Sequence, residues 1–84
     1  MTPLMRALRD NEPDALEEAF KALHPSAFDA ARQRLGDTFQ DECKDVASEA
    51  IRRLFDRIGE LESEHELRPL VVVIARYAAI DQLR

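Results

Sequence analysis

The chain has 84 residues, room for one domain with a small core, burying roughly 60–65% of the surface the unfolded form exposes. With 45% hydrophobic and 35% charged residues it is globular rather than disordered, and its 2 glycines and 4 prolines favour a few long helices. A formal net charge of -5 argues against a general nucleic-acid binder, and no apolar run approaches the roughly 20 residues of a membrane span.

Met1 to Arg9 reads as a short helix or a frayed arm, with Leu4 and Leu8 one turn apart. Asn11 is an N-cap candidate, followed by Pro13 and Asp14 in the first turn. The spacing of Leu16, Ala19, Phe20 and Leu23 predicts a helix over about 12–23 that buries those four. His24-Pro25-Ser26 is expected to break it. Ser26 with Asp29 resembles a capping box for a second helix over about 26–35, burying Ala27, Phe28, Ala31 and Leu35 and ending at Gly36.

Thr38 is expected to open the next helix, with Asp41 three residues on. Phe39, Cys43, Val46, Ala47, Ala50, Ile51, Leu54, Phe55 and Ile58 form a 3.6-residue stripe, stopped at Gly59. "ELESEHE" reads as an acidic loop or frayed turn. Pro69 places the start of the last helix near Leu67 or Arg68. "LVVVIA" is rich in β-branched residues, but its continuation into "RYAAIDQLR" favours a buried helix over a strand. The expected fold class is all-α, a compact bundle of three to four helices in a single domain over 1–84.

Charge is uneven along this chain. Residues 39–66 hold nine acids and four bases, net -5, whereas residues 67–84 hold one acid and three bases, net +2. The third helix carries Asp45, Glu49, Arg52 and Asp56 on one face, either an ordinary solvated face or a polar docking face. The last helix has two apolar sides. Leu67, Leu70, Val71, Ile74 and Ala78 lie on one, and Val72, Ala79, Ile80 and Leu83 on the other, with Arg76 among them. Such a helix is either central to the bundle or turned toward a partner.

Nothing in the residue pattern suggests catalysis. His24, His65 and Cys43 have no metal-ligand spacing, and "HELR" lacks the second histidine of a zinc helix. No glycine-rich phosphate loop and no nucleophile with a nearby base is present. A non-enzyme without cofactor is expected. The lone Cys43 excludes an internal disulfide framework, and with no signal-peptide pattern the expected location is the cytoplasm.

Three motifs in order complete the reading: "LMRALRDNEPDALEEAFKALHPSAFDAARQRLGD", "DVASEAIRRLF" and "LRPLVVVIARYAAIDQLR". In that order and spacing the sequence resembles region 2, the N-terminal core domain of extracytoplasmic-function sigma factors of bacterial RNA polymerase. The resemblance covers most of the chain. It implies that the third helix docks on a coiled coil of the polymerase's largest subunit, through the matching positions Asp45, Ser48, Glu49 and Arg52. It implies that the last helix and the loop before it engage the non-template strand of the promoter's -10 element, through Arg76, Tyr77, Asp81 and Arg84. It also implies an anti-sigma factor as a further partner. Family members continue into a linker and a helix-turn-helix domain, and this sequence carries neither.

The sequence departs from the family pattern at Tyr77, where Asn is usual, at Leu70, where an aromatic is common, and at Val73, where Arg is frequent. The connecting loop is short and acidic. The rival reading is a helical interaction module that docks on a partner or dimerises without reading DNA.

Overall fold

The structure, a computed structural model, describes residues 2–83. Its elements are α1 (Pro3–Arg9), α2 (Pro13–Leu35), α3 (Gln40–Asp56) and α4 (Leu67–Leu83). Two 3-10 turns, Ile58–Glu60 and Glu64–Glu66, lie between α3 and α4. No strand occurs among the described residues, so the fold is all-α. The three long helices each pack against the other two, and the bundle measures 39 × 21 × 17 Å.

Alanines set how closely these helices approach. Ala27, Ala30, Ala31, Ala47, Ala50, Ala75 and Ala79 are almost wholly buried at the contacts. Met5, Leu8, Ile51, Leu54 and Val71 fill the space between backbones, each at most 1% exposed. At the other end a second cluster joins Ala31, Leu35, Cys43, Val46, Ala78 and Ala79. Burial pushes the Cys43 thiol pKa up, which keeps it protonated and inert. No polar or charged residue among those described is buried.

Several local expectations are corrected. The chain does not break at Pro25: α2 runs unbroken through it for 23 residues. Its core positions Ala19, Leu23, Ala27 and Ala30 stay in phase across the proline, while Pro25 itself is exposed and Phe20, expected in the core, faces solvent beside His24. Packing of that stripe outweighs the lost backbone hydrogen bond. Ser26 therefore caps nothing, and Asp29 pairs with Arg32 at 3.0 Å. Asn11 is not an N-cap either. It adopts φ 56°, a left-handed conformation that asparagine tolerates, and Glu12 precedes the helix instead.

Helix α3 begins after Phe39 rather than at a Thr38 cap, and Phe39 is half exposed instead of joining the stripe. The acids Asp41 and Glu42 in its first turn complement the helix dipole. The helix ends at Asp56, before Gly59, which sits inside a 3-10 turn. Gly36 does close α2, at φ 92°, where a β-carbon would be strained. Helix α4 starts at Leu67 as expected, and of its second apolar side Ala79 is wholly buried and Val72 and Ile80 are half-buried. Val73, Tyr77 and Leu83 of its outer side face solvent.

Candidate functional site

Two surfaces carry the residues singled out from the sequence. The first lies along α3. Asp45 and Ser48 are exposed, and neither takes part in a side-chain hydrogen bond or ion pair among the described residues. Glu49 is not a free acid. Arg52 donates from Nε and Nη2 to its two carboxylate oxygens at 2.9 and 2.5 Å, and Arg53 donates from Nε at 3.1 Å. Arg52 also reaches Asp56 at 3.3 Å. The hydrogen bonds from Arg52, with the one from Arg53, hold the Glu49 carboxyl down to about 2 against the opposing effect of its partial burial. The same contact raises the Arg52 pKa. This face is an ordered strip of alternating charge, with Asp45 left available at its N-terminal end.

Asp81 belongs to this strip rather than to the outer face of α4. Its carboxylate lies 3.6 Å from Arg53 Nη1, across the α3–α4 seam. Asp45, Glu49, Arg53, Asp81 and Gln82 rim a groove of about 280 Å³ with Val46 and Ala78 on its walls. The resemblance grouped Asp81 with Arg76 and Tyr77. Asp81 lies one turn beyond Tyr77, about 40° around the helix and at the edge nearest α3, where it pairs with Arg53; Arg76, five positions back, lies about 140° away.

The second surface is the outer side of α4. Arg76 and Tyr77 both project into solvent, and Tyr77 is 63% exposed. Val73, 43% exposed, lies one turn before Tyr77. With Pro69, Leu70 and Leu61 it lines a shallow apolar groove of about 610 Å³, rimmed by Arg57, Glu60, His65 and Glu66. The one acid of α4, Asp81, lies a turn beyond Tyr77 and is paired with Arg53. Arg84 lies outside the described residues.

Sequence reasoning passed over this groove because its floor includes Leu61, a lone apolar residue inside the acidic "ELESEHE" run. Leu61 is 6% exposed and joins the main core cluster. An isolated leucine among four glutamates was the available signal. His24 has a structural surrounding, with ring centroids 5.3 Å from Phe20 and 6.3 Å from Phe28 on the same side of α2. No helix among the described residues is long and apolar enough to cross a membrane.

A scan of known protein families, a search of characterised proteins and a search of solved structures each find no match to this chain.

Proposed function

We propose that this chain is a transcription-initiation domain of the sigma region 2 type, docking on core RNA polymerase through α3 and engaging an unpaired promoter strand through α4. One observation carries the reading: an exposed tyrosine and an exposed arginine are neighbours on the outer side of α4, beside an apolar groove, and the helix's one acid, Asp81, is paired with Arg53. An aromatic ring left in water can stack a base for about 1–3 kcal/mol, and the neighbouring guanidinium can hold a phosphate. The order of the three sequence motifs supplies the rest. On this reading Asp45, Ser48, Glu49 and Arg52 meet the largest-subunit coiled coil, and Asp81 serves the seam behind them.

The domain by itself binds single-stranded -10 DNA weakly. Net charge -5 provides no long-range attraction to phosphate, and only the few arginines of α4 neutralise it locally. The salt dependence is shallow, about 2–3 ions. Affinity therefore comes from the complex with polymerase.

A second reading is favoured by the glutamates Glu60, Glu62, Glu64 and Glu66 beside the groove. It makes the chain a helical interaction module that docks on a protein without reading DNA. Capture of core polymerase, then promoter-directed transcription, separates the two. Fluorescence anisotropy of a non-template oligonucleotide in the reconstituted holoenzyme should show weaker binding for Tyr77→Ala and for Arg76→Ala. If both variants open a promoter as well as wild type, the outer side of α4 is not a DNA surface and the second reading stands.

A further inference from the structure

Side-chain hydrogen bonds between distant parts of this chain are confined to one place. Among the described residues all but two of these bonds join residues at most 7 apart in sequence. The two exceptions hold the α3–α4 connection at its middle and fix the start of α4 just beyond it. In the connection, Leu61 accepts at its carbonyl from Arg9 Nη2 of α1 at 2.6 Å, across 52 residues. In the first turn of α4, Arg68 donates from Nη1 to the Ser26 hydroxyl of α2 at 2.6 Å, across 42 residues.

The connection is internally bonded as well. The Leu61 N–H donates to the Ile58 carbonyl at 3.1 Å, and the Glu66 N–H to the Ser63 carbonyl at 3.1 Å. The Ser63 hydroxyl accepts from the His65 N–H at 3.2 Å. Leu61 and Leu67 are anchored in the core. Helix α1 has only 7 residues, too few to stand alone, and it is fixed by Met5 and Leu8 buried in the same cluster as Leu61. The first helix of the chain thus ends in an arginine whose one side-chain hydrogen bond is to the strip of backbone that floors the apolar groove.

We propose that Arg9 and Arg68 are positioning residues, clasping the α3–α4 connection so that the groove beside Val73 and Tyr77 is formed before anything binds there. For what that groove receives, an unpaired nucleic-acid strand, the proposal rests on the function above. A loop that must be ordered on binding costs affinity, and one held in place beforehand does not. Glu60 is paired with Arg57 at 3.3 Å, while Glu62, Glu64 and Glu66 repel one another, and the external grips oppose that repulsion. The clasp also separates two tasks, because neither arginine lies on the α3 face.

The test uses the full chain with Arg9→Ala and Arg68→Ala, each followed by amide hydrogen exchange, capture of core polymerase, and anisotropy of a single-stranded -10 oligonucleotide in the polymerase complex. Exchange of the Leu61 and Glu66 amides should rise about tenfold or more while amides of Ile51, Leu54 and Ile74 stay protected. Oligonucleotide affinity should fall about tenfold with polymerase capture unchanged. Arg9→Lys, which keeps one donor, should recover part of the loss. Combining Arg68→Ala with Ser26→Ala should add nothing to Arg68→Ala alone. Unchanged exchange in both alanine variants overturns the clasp, and so does loosened exchange with undiminished oligonucleotide binding. Loss of protection throughout α3 and α4 also overturns it, since the arginines would then be staples of the whole fold. A wild-type chain that holds no oligonucleotide refutes the DNA reading alone, and the exchange data still decide whether the clasp exists.

Discussion

Replacing Pro25 with alanine should make this protein more stable, and the size of the gain follows from where the proline sits. Pro25 is the thirteenth residue of the 23-residue α2, far from either end. It has no N–H to donate to the carbonyl of Lys21, and its ring crowds that same carbonyl. It also biases His24 away from the helical conformation that α2 imposes. A proline deep in a helix costs about 3 kcal/mol relative to alanine. Two terms reduce what the substitution returns. Lys21 is exposed, so water can satisfy its carbonyl in part. The unfolded chain regains freedom without proline, worth about 0.4–1 kcal/mol in the opposite direction. Pro25 is exposed, so no packing is lost. The expected net gain is about 1–2 kcal/mol, or a rise of roughly 4–12 °C in Tm for a domain of this size. Pro13 is the internal control. It stands at the first helical position, where an N–H has no partner anyway, and Pro13→Ala should be neutral or slightly destabilising. Urea and thermal melts of both variants, followed by circular dichroism, measure the difference. If Pro25→Ala is no more stable than wild type while Pro13→Ala behaves in the same way, α2 is two helices that meet at His24-Pro25-Ser26, and the continuous packing stripe is wrong.

Leu54 is fully buried among all three long helices, and Leu54→Ala should cost about 2–5 kcal/mol in urea unfolding, a large part of what so small a domain has. Asp45→Arg places like charge where a basic partner would dock and breaks no contact in the chain, so polymerase capture should fall about tenfold at an unchanged Tm. The folded-state pKa of Glu49, about 2, lies below the ordinary glutamate value near 4.3. Its contribution is therefore fully present above about pH 5 and lost as pH falls toward 2. The side chain is 37% exposed, so solvent screening keeps the effect under about 1 kcal/mol. Urea midpoints of wild type and Glu49→Gln should differ at pH 6 and converge at pH 2.

The extent of α3 and α4, and most of their buried faces, were legible in the sequence because a 3.6-residue stripe of apolar side chains has one way to meet a core. Cys43, Val46, Ala47, Ala50, Ile51 and Leu54 of that stripe are all buried. The start of α4 was equally legible, since Pro69 sits best in a helix's first turn, where its missing N–H would have had no partner. Local signals misled where tertiary packing opposed them. Pro25 and the Ser26–Asp29 pair announced a break, but a stripe already in phase on both sides of the proline kept α2 whole. Phe39 continued the α3 stripe on paper and is half exposed, because it precedes the first helical residue and does not share the helix's periodicity.

On the candidate site the division is similar. The sequence alone put Asp45, Glu49 and Arg52 on one face of α3, because residues four and seven apart on a helix share a side. It left the two apolar sides of α4 equivalent. The assembled bundle buries the first with Val71, Ile74 and Ala78 and takes in part of the second with Ala79 and the half-buried Val72 and Ile80, leaving Leu83, Val73 and Tyr77 in solvent. It also drew Asp81 to Arg53, brought Arg9 to Leu61 in the middle of the α3–α4 connection, and tied Arg68 at the start of α4 to Ser26 of α2. Contacts across 28, 52 and 42 residues leave no periodic trace, since they depend on how the helices are arranged around one another and not on how each one is written.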